Sequence, residues 1–144
     1  MEELVLQIKG IIDPNLPLIS NLSNASAIIN QLPNLNWCGF YLVHEDTLYL
    51  GPFQGEVACT MIQKGKGVCG TAFKEKRTII VPDVSQFPGH IACSSASKSE
   101  IVVPIIKKGM VVGVIDLDAP ILNRFNEAEA SVLEQIANLL SELF

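Results

Sequence analysis

The sequence predicts an α+β fold, a single antiparallel sheet of about six strands flanked by helices from the N- and C-terminal ends of the chain. Three observations carry this. Apolar residues recur three and four apart at both ends, the period changes to two from Trp37 onward, and the connections within the middle are short enough to require antiparallel pairing.

Leu4, Val5, Ile8, Ile11 and Ile12 define a helix over residues 2–12, which Pro14 stops. A second stripe, Leu16, Ile19, Leu22, Ile29 and Leu32, passes small Ala25 and Ser26 and closes at Pro33, giving a helix over 16–31. Then Trp37, Gly39, Tyr41 and Val43 alternate with Cys38, Phe40 and Leu42, and the polar turn His44-Glu45-Asp46 returns the chain through 47–50 as a hairpin. Gly51-Pro52 and Gly55 punctuate the chain before a third strand, in which Val57, Cys59 and Met61 alternate with Ala58, Thr60 and Ile62. The glycine-rich run 64–70 leads into a two-turn helix over 71–76 and then the apolar run 78–81. Residues 82–99 are mostly small or polar and read as a loop, long enough in a compact domain to suggest function. The β-branched runs 101–106 and 110–117, joined by Lys107-Lys108-Gly109, form a second hairpin. Asn126 with Glu129 three residues on starts a closing helix carrying Val132, Ile136, Leu139, Leu140 and Leu143.

With 144 residues the chain is read as one domain, 1–144, and its 49% hydrophobic against 17% charged content excludes disorder. Ten Lys and Arg against 15 Asp and Glu, net −5 with no basic cluster, argue against nucleic acid as a partner. The acidic start MEELVLQIKG does not suit a signal peptide, and no run approaches the ~18 apolar residues of a membrane span. A cytoplasmic protein with no membrane partner is therefore expected, and in that reducing compartment the four cysteines need an explanation.

None of the cysteine spacings is C-x-x-C, so neither a zinc ribbon nor a thioredoxin-type pair is encoded. Cys38, mid-strand, reads as a small buried hydrophobe. Cys93 does not, because it sits in the long polar loop among hydroxyls and backbone N–H groups that stabilise a thiolate. Cys59 and Cys69 lie between these cases. Asp116 and Asp118, two apart at a strand end, share a face, and Glu100 begins the partner strand; they suit either a solvated strand end or a cluster in which repulsion raises the pKa of one carboxyl and makes it a candidate proton donor. Trp37 and Tyr41 share a strand face and suit either a pocket wall or core packing. His90, the one histidine of the long loop, reads as solvated, and GKGVCG lacks the ending of a phosphate loop.

The stretches NWCGFYL (36–42), LGPFQGEVAC (50–59), GKGVCGTA (65–72), VPDVSQFPGHIACSSASKSEIVVP (81–104) and GVIDLDAP (113–120) together resemble one family, the free methionine-(R)-sulfoxide reductases, which are built on a GAF domain. The resemblance implies a GAF-like fold and reduction of free L-methionine (R)-sulfoxide. It assigns Cys93 as the attacking cysteine, Cys59 as the resolving one and Cys69 as an additional redox cysteine. It places Glu100, Asp116, Asp118, Trp37 and Tyr41 at the substrate, and implies thioredoxin as reductant, a homodimer, and neither cofactor nor metal. Cys38 has no counterpart among the family's redox cysteines, and Ser94 stands where many relatives have an acid. The competing readings are a non-catalytic GAF small-ligand sensor and a structural zinc protein.

Overall fold

The computed structural model describes residues 1–90 and 96–144. Its elements run α1 (Glu2–Ile11), α2 (Leu18–Ile29), β1 (Trp37–His44), β2 (Thr47–Gly55), β3 (Met61–Gln63), α3 (Gly67–Glu75), β4 (Ile79–Val81), a single 3-10 turn (Val84–Gln86), β5 (Ser99–Lys107), β6 (Met110–Ala119) and α4 (Glu127–Ser141). Six strands form one sheet in the order β3-β2-β1-β6-β5-β4, and the described pairings are antiparallel. The expected α+β class, sheet and flanking helices are all present, and none of the helices described is long and apolar enough to cross a membrane.

Period-two alternation gives this sheet two buried faces. One face sends Cys38, Phe40, Ile101, Val103, Ile115 and Leu117 into a core with Ile8 of α1, Leu22 and Ile29 of α2, and Leu133, Ile136 and Leu140 of α4. The other sends Trp37, Tyr41, Val102 and Val114 against Val68, Cys69, Ala72 and Phe73 of α3. The first core is purely apolar at its centre and holds the domain together. The buried carboxyls Glu100 and Asp116 lie at one end of the second face, between the sheet and α3, and that is where the site forms.

Several boundaries differ from the sequence reading, each for a local reason. β2 continues to Gly55 because the register to β1 shifts between Gly39 and Tyr41, so that Gly51 and Pro52 are absorbed as a bulge. The third strand is only Met61–Gln63, not 57–62. Trp37 Nε1 donates to the Glu56 carbonyl at 3.1 Å and the Tyr41 hydroxyl to the Cys59 carbonyl at 2.8 Å, so side chains replace a ladder over this segment. Cys59 therefore sits in a connection and not on a strand. α3 begins at Gly67, inside the glycine-rich run, because those glycines permit close approach: a Cβ on Gly70 would meet the Gln63 carbonyl at 2.5 Å. β5 begins two residues early at Ser99, and β6 reaches Ala119, so Asp116 and Asp118 lie within the strand. At the closing helix, the Asn126 side chain accepts from Glu129 N–H and Glu129 accepts from Asn126 N–H, the expected capping box.

Gly39 tests this packing. A Cβ there would sit 2.3 Å from Phe53 Cβ, so Gly39→Ala should lower the unfolding free energy by about 1–3 kcal/mol in urea melts. Gly10→Ala, on α1 with nothing within 4 Å, should instead raise it by about 0.5–1 kcal/mol. Equal effects of the two would contradict the close approach of β1 and β2.

Candidate active site

Directly opposed residues of an antiparallel sheet share a face, and strand register assembles the site from that rule alone. Glu100 of β5 opposes Asp118 of β6, which opposes Trp37 of β1, which opposes Gly55 of β2. One row further along, Val102, Asp116, Gly39 and Phe53 follow in the same way. Three carboxyls from two neighbouring strands thus point to one side, beside an indole. Gly55 is required there, since a Cβ would meet Trp37 Cδ1 at 2.6 Å. Trp37 lies flat over its neighbours, stacked on Phe53 at 5.3 Å and on Tyr41 at 6.0 Å between ring centres.

α3 closes the row from above and brings Cys69 with it. The resulting cleft is lined by Trp37, Tyr41, Cys69, Glu100, Asp116 and Asp118, all six of the expected site residues other than Cys59 and Cys93. Cys93 lies outside the described residues. Cys59 is half-buried and disulfide-bonded, and its carbonyl is the acceptor for Tyr41, so the two aromatic rings that wall the cleft also anchor the segment carrying this cysteine. Cys38 points into the opposite core, where its thiol donates to the Ser26 carbonyl at 3.3 Å and burial pushes its pKa to about 12. It is a packing residue, as its place in the strand suggested.

The electrostatics follow from burial. Removal from water pushes the Glu100 carboxyl well above its ordinary range, and the neighbouring Asp116 and Asp118 push it further. Asp118 is raised well above its range by burial and then by Asp116. Asp116 is raised by burial too, with hydrogen bonding from Glu100 and Cys69 and the proximity of His90 partly offsetting the effect. Its Oδ1 is buried with no hydrogen-bond partner among the described residues. Such a cluster resists complete ionisation, so its protons are held to higher pH than on ordinary carboxyls, and it includes one acceptor without a partner. Cys69 is likewise pushed up, by burial and then by Asp116 and Glu100, so it rests as a thiol and not as the reactive thiolate.

Sequence reasoning missed His90. Its side chain is only 17% exposed, with Nε2 3.8 Å from Glu100 Oε1, and burial lowers its pKa so that the neutral imidazole is favoured. The available signal was its place in a loop whose ends are pinned to the sheet, Val84 N–H donating to the Lys98 carbonyl and Lys98 N–H to that of Ala119. Together the cleft offers carboxyls that pair with a cation, a carboxyl that donates a proton, and an aromatic wall for an apolar group.

The raised carboxyl pKa values have a sign. Below their unfolded values, near the ordinary 3.8 and 4.5, both states are protonated and the cluster is tolerated in full. As pH rises past that range only the unfolded chain ionises, and each such group removes about 1.4 kcal/mol per pH unit until its folded pKa is passed. Glu100→Gln should therefore be increasingly more stable than the wild type from the ordinary carboxylate range upward, when both are unfolded by urea across pH. Parallel stability curves would show that Glu100 is not held protonated.

The GAF domain family matches residues 17–143. The free methionine-R-sulfoxide reductase of Saccharomyces cerevisiae is 48% identical to this chain, covering 99% of it and 84% of the yeast protein. Among solved structures, fRMsr of Staphylococcus aureus in reduced form superposes with a TM-score of 0.94 at 49% identity, over 99% of this chain and 93% of that one. The free methionine-R-sulfoxide reductase of Neisseria meningitidis in complex with its substrate gives 0.94 at 41% identity, over 99% and 87%. At these identities over nearly its full length, the chain belongs to the GAF domain family and, within it, to the free methionine-R-sulfoxide reductases.

Proposed function

We propose that this chain reduces free L-methionine (R)-sulfoxide to methionine in the cleft between the sheet and α3. The observation that carries the reading is the buried carboxyl cluster beneath Trp37, with an unpartnered Asp116 oxygen, beside a segment whose cysteine forms a disulfide. A free amino acid brings an ammonium that neutralises such a cluster; a methionine residue inside a polypeptide has none, which gives the preference for the free substrate. The thioether end, apolar apart from its sulfoxide oxygen, suits the faces of Trp37 and Tyr41.

The chemistry is then one of thiols. The Cys93 thiolate attacks the sulfoxide sulfur while a protonated carboxyl among Glu100, Asp116 and Asp118 gives its proton to the oxygen. The attack forms a sulfur–sulfur bond; the protonated oxygen then passes from the substrate sulfur to that of Cys93 as the sulfur–oxygen and sulfur–sulfur bonds break, so that methionine leaves with the electron pair and Cys93 is left oxidised to a sulfenic acid. Cys59 attacks that sulfur, expelling water and forming a disulfide, which a dithiol protein, thioredoxin, reduces by exchange. The disulfide at Cys59, with Cys38 and Cys69 both free, supports Cys59 as the resolving partner in preference to Cys69. Cys69, protonated beside carboxylates, is then a secondary member of the relay. The reading is completed by a homodimer acting in the cytoplasm, with residues 1–144 as one GAF domain.

NADPH consumption coupled through thioredoxin reductase and thioredoxin tests this. The free R epimer should be turned over and the S epimer should not. Cys93→Ser should release no methionine, whereas Cys59→Ser should release it in a single turnover and then stop. Binding of methionine sulfoxide without turnover of either epimer would instead favour a ligand-sensing module, and full single-turnover activity in Cys93→Ser would move the nucleophile to another cysteine.

A further inference from the structure

The reaction proposed above makes little use of one feature. Cys69 sits between two carboxyls: its sulfur, a Glu100 oxygen and an Asp116 oxygen all lie within 4.8 Å of one another, on residues 4%, 6% and 5% exposed. For a redox thiol this is a poor location, because adjacent carboxylates suppress the thiolate. For a cation it is a good one. The Asp116 oxygen without a partner is an acceptor already desolvated, and the three acidic groups repel one another until something positive joins them. His90 adds an imidazole nitrogen 3.8 Å from the Glu100 carboxylate.

We infer that Cys69, Glu100 and Asp116, with His90 as fourth donor, form a site for a thiophilic divalent cation, Zn²⁺ foremost, which competes with the amino acid substrate for the same cleft. Tetrahedral zinc with bonds of about 2.0–2.3 Å has donors about 3.3–3.8 Å apart, so the Cys69, Glu100 and Asp116 atoms, already within 4.8 Å of one another, need to close by about one ångström, and the His90 ring must turn inward to complete the four. The donor set selects the metal: one sulfur, one imidazole nitrogen and two carboxylate oxygens suit Zn²⁺, whereas Mg²⁺ and Ca²⁺ require six or more oxygens. Spacing along the chain conceals the site, since its ligands come from α3, the connection after β4, β5 and β6 and are assembled only by the fold. Binding displaces protons from the Cys69 thiol and from whichever carboxyls hold them. The metal then occupies the seat of the substrate ammonium and takes Glu100 and Asp116 out of the set of proton donors. This competitive half rests on the substrate reading above; the metal site itself does not.

Cobalt(II) added to the oxidised full-length protein is the probe, because the free thiols among the described residues are then Cys38 and Cys69, and Cys38 lies in the opposite core. A sulfur-to-cobalt charge-transfer band should appear, survive Cys38→Ala and vanish in Cys69→Ser. Glu100→Gln, which relieves repulsion and so retains the fold, should weaken binding by more than about tenfold. Zinc should displace the cobalt, and free methionine (R)-sulfoxide, which the oxidised protein cannot turn over, should bleach the band as it enters. No band, or one that persists in Cys69→Ser, overturns the metal site. A band that the sulfoxide leaves intact, when calorimetry shows the sulfoxide binding the metal-free protein, overturns the competition. A band with no sulfoxide binding to metal-free protein leaves the metal site standing and overturns the substrate reading.

Discussion

Strand register forces Glu100, Asp116 and Asp118 onto one face of the sheet, and α3 then covers them, so carboxyl groups that water would keep apart share a space of low dielectric. Everything distinctive about the cleft follows from that enforced proximity. The groups retain protons at a pH where ordinary carboxyls have lost them, they add to the burial that keeps the Cys69 thiol protonated, and they leave an acceptor on Asp116 unsatisfied. The cluster works against folding and is tolerated because it occupies one end of one face, while the opposite face packs a large apolar core against α1, α2 and α4.

The aromatic residues link this charge site to the thiols. Trp37 and Tyr41 each use a ring to wall the cleft and a polar tip to bind a carbonyl of the segment from Glu56 to Cys59. Glycine makes this possible at Gly55, where any side chain would collide with the indole, and at Gly70, where α3 presses against the backbone near Gln63. A site of this kind joins a cation-binding end to an apolar wall and a redox cysteine. A zwitterionic sulfoxide presents those three features in one small molecule, and a zinc ion satisfies the charged end alone.

The architecture was legible in the sequence wherever periodicity was long. Alternation in β1 and β6 correctly divided Trp37 and Tyr41 from Cys38 and Phe40, and the Asn126–Glu129 box marked α4. The pairing of Asp116 with Asp118 and their nearness to Glu100 were also readable, since all three follow from parity on a hairpin. What was not legible depends on contacts distant in sequence. Residues 57–60 alternate like a strand, but the Trp37 and Tyr41 side chains bind the Glu56 and Cys59 carbonyls of this segment instead. The glycines of 65–70 resemble a turn, yet they are where a helix approaches the backbone. His90 looks solvated until β5 brings Glu100 beside it, and the nearness of Cys69 to two carboxyls has no trace in spacing.

The claim at the centre is that burial keeps at least one of these carboxyls protonated at neutral pH, and infrared spectroscopy reads that state directly. In deuterated buffer at neutral pH, the wild-type protein should show the carbonyl stretch of a protonated carboxylic acid, and the band should be lost or shifted when Glu100, Asp116 or Asp118 is replaced by its amide. Absence of any protonated-carboxyl band in the wild type would contradict the account, because the cleft would then hold three carboxylates with neither the repulsion nor the proton on which its chemistry depends.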